Sequence, residues 1–228
     1  MSENQQEPCF GVLAALGGEL GELRGRATAR RTLAGVSLSE CELPGGASLL
    51  LCVSGVGKVR AAAGATALIA AGAGRGLLVV GLAGGLRRGM GPGDLVHCDR
   101  AVQADSALTE DRCFSADPAL LQAWQAAAPG RTGWFLTADR PVLNPFRRLR
   151  LGRAFLGPCV ADMETAAVAA VAARAGVPWA ALRVVSDLAG CGAGRSFRKH
   201  FPHMSGLAAD TLAKWVPAYP PARNQVSP

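Results

Sequence analysis

Residues 162–187 constrain the fold of this chain more than any other stretch. Small or apolar residues at Met163, Ala166, Ala167, Ala170 and Ala173 recur at intervals of three and four, an apolar stripe along a helix that Gly176 and Pro178 bring to an end. The segment ALRVV that follows is apolar and β-branched enough for a strand buried on both faces, and it runs into Ser186 and Asp187. A helix followed by such a strand is a unit of an α/β fold, in which ligands gather outside the carboxyl ends of the strands. Glu164, at the start of the helix, and Asp187, at the end of the strand, are therefore two carboxylates on rigid elements that can converge on one pocket. Taken alone, Glu164 reads more simply as a charge favoured by a helix N-terminus and Asp187 as a turn residue.

The remaining segments extend this pattern. CFGVLAAL (9–16), SLLLCVSG (48–55), GLLVVGLAGGL (76–86), GDLVHCDRAV (93–102) and TGWFLTAD (132–139) read as strands. VRAAAGATALIAAGA (59–73), LLQAWQAAA (120–128) and residues 207–216 read as helices, and GGELGELRGRA as a Gly-rich turn opening a helix that carries Glu19. Residues 103–118 read as a polar loop. GCGAGRSFRKHFPHMSG, after Asp187, reads as a loop of the kind that closes over a site, with His200 and His203 in it. PFRRLRLGRAFL is an amphipathic basic segment, and Arg140, Arg147, Arg148, Arg150 and Arg153 read as one solvated face. The even mixture of apolar and Gly-rich segments over 228 residues indicates one α/β domain, residues 9–216. Residues 1–8 are expected to be a flexible N-terminus and residues 217–228 a disordered Pro-rich tail.

Several classes are disfavoured at this point. No run of eighteen apolar residues escapes a charge or a glycine break, so a membrane span is not expected. MSENQQEPCF has acids and amides where a secretory signal needs a basic and then an apolar stretch. Seven cysteines with no C-x-x-C pair fit reduced thiols in a cytoplasmic protein. The net charge of +7 admits a nucleic-acid partner, but one Tyr leaves little for stacking bases, and none is expected. Gly57-Lys58 follows a strand and precedes a helix as in a P-loop, yet Val59 stands where a magnesium-binding hydroxyl is needed and Cys52 where a glycine is needed. The glycines at 81, 84 and 85 run into turn chemistry rather than a helix start. A dinucleotide site is thereby disfavoured, while close backbone approach to a flat ligand is allowed. His200 and His203 lack a third ligand, and no metal is expected.

GVLAALGGELGEL, SGVGKVRAAAGA, VVGLAGGLRRGMGPGDLV, DMETAAVA and VPWAALRVVSDLA, in this order, resemble the nucleoside phosphorylase and nucleosidase superfamily. Within it the chain is most similar to methylthioadenosine/S-adenosylhomocysteine nucleosidases and to hopanoid-associated phosphorylase-like proteins. The resemblance spans roughly residues 9–216. It implies a central mixed, twisted β-sheet flanked by helices and a homodimer or larger homo-oligomer. It also implies a purine nucleoside as the small-molecule substrate, a 5′-modified adenosine above all, and no cofactor beyond phosphate as co-substrate if the enzyme is a phosphorylase. By the same resemblance, Glu19 activates water and Asp187, beside Ser186, meets N7 of the leaving purine. Met163 packs under the sugar, Glu164 accepts from the ribose hydroxyls, Val142 lies by the adenine edge, and Ala83 and Gly84 form the turn beside the base.

Chemistry supports such a set independently. Breaking an N-glycosidic bond builds positive charge on the sugar and negative charge on the base, and glycoside hydrolysis generally assigns one carboxyl to each end of the event. An Asp, ordinarily titrating near 3.9, needs burial or a ligand nitrogen to hold a proton near neutrality. Glu164 serves best as a charged acceptor. Two positions depart from the pattern. Phosphorylases of the oligomeric purine class carry an Arg where this chain has Val79, and many members carry Ser or Thr where it has Leu82. Valine cannot replace an arginine facing phosphate, so hydrolysis is favoured, with Arg24 or Arg26 as the alternative route to phosphate. A bulky lipidic 5′ group, a phosphate-dependent phosphorylase and a nucleoside-binding protein without activity stand as alternatives; a dinucleotide oxidoreductase is the remotest.

Overall fold

The computed structural model describes residues 9–107, 112–155 and 157–219. In chain order the elements are β1 (Phe10–Ala14), a 3-10 turn (Gly17–Leu20), α1 (Glu22–Gly25), β2 (Ala27–Leu33), β3 (Val36–Glu42), β4 (Ser48–Val53) and α2 (Lys58–Ala70). They continue with β5 (Gly76–Gly85), β6 (Leu95–Gln103), β7 (Cys113–Ser115), α3 (Pro118–Ala127), β8 (Arg131–Thr137), α4 (Pro145–Ala154) and β9 (Cys159–Asp162). The last are α5 (Thr165–Ala175), β10 (Trp179–Asp187), α6 (Ala193–Met204), α7 (Leu207–Trp215) and a final 3-10 turn (Val216–Ala218). The expected α/β class and the mixed sheet flanked by helices are both present.

Among the described residues ten strands form one sheet in the order β10-β6-β8-β9-β5-β1-β4-β3-β2, with β7 paired to β6. β5 is the hub: its first half pairs in parallel with β1, most of its length in parallel with β10, and its last two residues with β9 in antiparallel. Because β10 returns to β5, the strands β5, β9, β8, β6 and β10 close into a ring.

Alternation along β5 builds the two layers of the core. Leu77, Val79 and Ala83 face one layer, packed by α2 and α5, while Leu78, Val80 and Leu82 face the other, closed by α3 and α7. Each leucine or valine among them, fully buried, contributes roughly 1.5–3 kcal/mol. In the second layer Trp124 and Trp215 stack with ring centroids 5.5 Å apart. In the first, Ala166, Ala169 and Ala172 of α5 and Ala61 and Ala65 of α2 are small enough to let the two helices lie together. Beyond the expected domain limit at residue 216, Tyr219 packs its ring 5.5 Å from Phe10. Residues 1–8 and 220–228, expected to be flexible, lie outside the described residues.

The sequence-based assignments need correction in several places. β2, β3 and β9 carry no element in the sequence reading. α6 was read as a loop, although Phe197 and Phe201 give it an apolar face against the second core layer. The polar loop 103–118 contains β7. α5 begins at Thr165, so Met163 and Glu164 precede the helix, with Glu164 as its N-cap residue.

Candidate active site

The carboxyl ends of β1, β5, β8, β9 and β10 surround a cavity of about 330 Å³, within the range of small-molecule sites. All nine residues expected at the site line it: Glu19, Leu82, Ala83, Gly84, Val142, Met163, Glu164, Ser186 and Asp187. Ala15, Val56, Arg140, Leu143 and Phe197 complete much of its wall. Three histories of local structure bring the acids there.

Glu19 sits in the 3-10 turn after β1 and not in the helix expected to carry it. Its carboxylate accepts from Leu16 N–H at 2.8 Å and from Leu82 N–H at 2.9 Å, which fixes it against the end of β5. Gly81 makes the approach possible. A Cβ there would lie 2.5 Å from Glu19 Oε1 and 2.3 Å from Arg183 Nη1, and φ is +145°. Gly84 faces the cavity as expected, whereas Gly81 makes room for the site's own side chains. Burial raises the Glu19 carboxyl above its ordinary value, against the opposing pull of Arg183 and the two N–H donors.

Asp187 ends β10 at an irregularity. The β10–β5 register shifts between Val185 and Asp187, a bulge that re-aims the side chains beyond it. Its Oδ1 accepts from Ala189 N–H and its Oδ2 from Ser186 Oγ, each at 2.8 Å. Ser186 O lies 2.9 Å from His200 Nδ1 and 3.0 Å from Ser196 Oγ, so α6 is clipped to the strand end that carries Asp187.

Glu164 is held from two sides. Gly57 N–H donates to Oε1 at 3.0 Å, and Arg183 Nη2 donates to Oε2 at 3.1 Å. Arg183 is the residue that the sequence reading missed. It is 1 % exposed in the middle of β10. It also donates to Asp162 Oδ2 at 2.9 Å and to Val80 O at 3.2 Å. Thr137 Oγ1 and Thr165 N–H donate to Asp162 as well. One guanidinium thus faces Asp162 and Glu164 directly and Glu19 at longer range. Burial pushes Glu164 up to about 7, assisted by Asp162 and Glu19 and opposed by Arg183 and Gly57 N–H. The charged Glu164 expected from sequence is therefore not free of a shift; hydroxyl donors from a ligand would favour its ionised form. A charge in the centre of a strand buried along its whole length was the available signal, because such a charge must be paired.

Other expectations fall away from the site. Val79 is buried in the core layer under α2 and α5. Arg24 and Arg26 do not line the cavity, and Arg26 lies 3.8 Å from Glu22. Of the arginines expected on one solvated face, Arg140 lines the cavity, and Arg148 donates to Arg87 O. Among the described residues no three His, Cys, Asp or Glu side chains are placed to hold a metal ion, and no helix is long and apolar enough to cross a membrane.

A family profile described as the Phosphorylase superfamily matches residues 10–219. The chain belongs to the phosphorylase superfamily. Within that superfamily it is 31% identical to the 5′-methylthioadenosine/S-adenosylhomocysteine nucleosidase of Geobacillus kaustophilus, over 82% of this chain and 88% of the relative. The crystal structure of the Helicobacter pylori nucleosidase of the same name superposes with a TM-score of 0.87 at 24% identity, covering 94% of this chain and 100% of that one. Futalosine hydrolase of Helicobacter pylori superposes with a TM-score of 0.86 at 24% identity, covering 93% and 98%. These two superpositions extend the shared fold of the superfamily to solved structures.

Proposed function

We propose that this chain is a nucleosidase that cleaves the N-glycosidic bond of a purine nucleoside with water, releasing adenine from a 5′-modified adenosine. The observation that carries this reading is the convergence of Glu19, Glu164 and Asp187 on one cavity, in a chain whose relatives include a nucleosidase at 31% identity. Their partners suit three jobs. Glu19, its carboxyl raised by burial, is a fitting base to take a proton from water, since a base works best with a pKa near the operating pH. Glu164, on the rigid start of α5, accepts from the ribose hydroxyls. Asp187 passes a proton to N7 as the bond breaks and the purine takes the electron pair. The hydroxide adds to the anomeric carbon as positive charge develops there.

Water over phosphate is the proposed choice because both Nη nitrogens of the buried Arg183 are taken by Asp162, Glu164 and Val80 O. Arg140 is a cation in the cavity wall, and phosphate dependence of turnover tests whether it serves an anion. The proposed reaction uses no cofactor. Methylthioadenosine, S-adenosylhomocysteine and an adenosine with a lipidic 5′ group remain within the proposed substrate class, the last supported by the apolar Val56, Leu82, Leu143 and Phe197 of the wall. A homodimer or larger homo-oligomer is part of the proposal: Val59 and Phe146 are 84% and 81% exposed, near in sequence to Val56 and Leu143 of the cavity wall. A cytoplasmic setting is proposed from seven thiols outside any disulfide. The test is base release from these three nucleosides with and without phosphate. Adenine released without phosphate supports the reading, and strict dependence on phosphate would move it to phosphorolysis.

A further inference from the structure

Gly57-Lys58 lacks the hydroxyl and the glycine that a P-loop needs, and the structure gives the lysine other work. Lys58 opens α2. Its Nζ donates to Asp105 Oδ1 at 2.8 Å and lies 3.3 Å from Asp139 Oδ2. The other oxygen of Asp105 accepts from Asp139 N–H at 2.7 Å. Three separate segments therefore meet at one ammonium: the start of α2, the turn after β6 and the turn after β8.

The turn after β8 is the one that matters for the site. Asp139 is followed directly by Arg140, Pro141, Val142 and Leu143, which all line the cavity. Ala138 N–H donates to Asp162 O, and Asn144 Oδ1 caps α4 by accepting from Phe146 and Arg147 N–H. Among the described residues, the Asp139 N–H bond to Asp105 is the hydrogen bond that holds the backbone between these two anchors. On its other side Lys58 adjoins Gly57, whose N–H fixes Glu164.

We infer that Lys58 is a positioning residue: through Asp105 it holds segment 139–143 against the cavity, in register with the Glu164 that Gly57 fixes. An isolated surface ion pair would count for little. This one differs in that the lysine side chain is 18% exposed and the acceptor carboxylate also fixes a backbone N–H. The arrangement also spends the positive charge on two aspartates, so Lys58 is not available to an anion in the cavity. The catalytic consequence rests on the proposed nucleosidase reading; the structural one does not.

Two measurements on the whole chain test it. Amide hydrogen exchange of ligand-free Lys58→Met is expected to quicken about fivefold or more at Asp139, whose N–H Asp105 accepts, while the amides of β5 keep their protection, the signature of a local opening. Exchange at Asp139 within about twofold of wild type, or quickening spread through β5, overturns the proposal. In turnover, Lys58→Met is expected to raise KM about tenfold with kcat within about threefold, the scale of a misplacement smaller than 1 Å. Lys58→Arg should recover most of the loss, and Asp105→Ala combined with Lys58→Met should be no worse than Asp105→Ala alone. Multiplying effects of the two changes would mean that Lys58 does not act through Asp105. If the wild type releases no base, the nucleosidase reading fails, and the exchange experiment still decides the role of Lys58.

Discussion

Arg183 Nη2 lies 3.1 Å from Glu164 Oε2, and the two side chains are 1% and 6% exposed. Removing one partner of a buried ion pair leaves the other charge uncompensated, at a cost of about 3–5 kcal/mol. Here two carboxylates would lose their shared cation, since Asp162 accepts from the same nitrogen. Arg183→Met is therefore expected to lower the unfolding free energy by about that amount in urea denaturation. A loss below about 1 kcal/mol, the scale of an exposed pair, would contradict the pairing.

The pH dependence of the reaction follows from Glu164. Burial, with Asp162 and Glu19 nearby, pushes its carboxyl up to about 7, against Arg183 and Gly57 N–H. Ribose hydroxyls need the ionised form as acceptor. The ratio kcat/KM, which reports the free enzyme, is expected to fall as pH drops through about 7. A profile flat from pH 8 to pH 5 would exclude Glu164 as a charged acceptor.

The same shift makes a claim about stability. Below the ordinary 4.5 of the unfolded chain, Glu164 is protonated in both states and costs nothing. As pH rises from there to about 7, the unfolded chain releases its proton first and stability declines, staying lower above that range. Glu164→Gln removes the penalty while keeping an acceptor for Gly57 N–H. Calorimetry is expected to find its Tm raised by about 2–6 °C at pH 8, with the advantage largely gone at pH 5. A variant no more stable than wild type at pH 8 would show that the carboxylate is not strained by burial.

Much of the site was legible because rigid apolar elements carry it. The alternation in GLLVVGLAGGL fixes which face of β5 is which, and the stop at Gly176 in the left-handed conformation places β10 and therefore Asp187. The β2–β3 hairpin was not legible. β2 is exposed along almost its whole length, so it lacks an apolar face. Its two-residue turn uses Ala34 and Gly35, both at positive φ, without the Asn-Gly or Asp-Gly that usually announces one. α6 was obscured by Gly194 and by Pro202 inside it. Arg183 is masked by the apolar neighbours of ALRVV, although its partners, Asp162 and Glu164, stand at the head of the same stretch.

Gly81 offers a test of the geometry that joins Glu19 to Arg183. The cavity cannot accept a methyl there without separating the two side chains, and the backbone angle is unfavourable to any residue but glycine. Gly81→Ala is expected to lower kcat about tenfold or more, as displaced catalytic groups do. An unchanged kcat would mean that the position of Glu19 is not critical.

The central claim is that water, steered by Glu19, attacks the anomeric carbon while Asp187 meets the departing purine. The most direct measurement is the mass of the sugar product formed from methylthioadenosine in 18O-labelled water with phosphate present. A free sugar carrying the heavy oxygen at its anomeric carbon is expected, with formation about 10²–10⁴ times slower in Asp187→Asn. A sugar 1-phosphate without the label, or turnover undiminished in Asp187→Asn, would contradict the account.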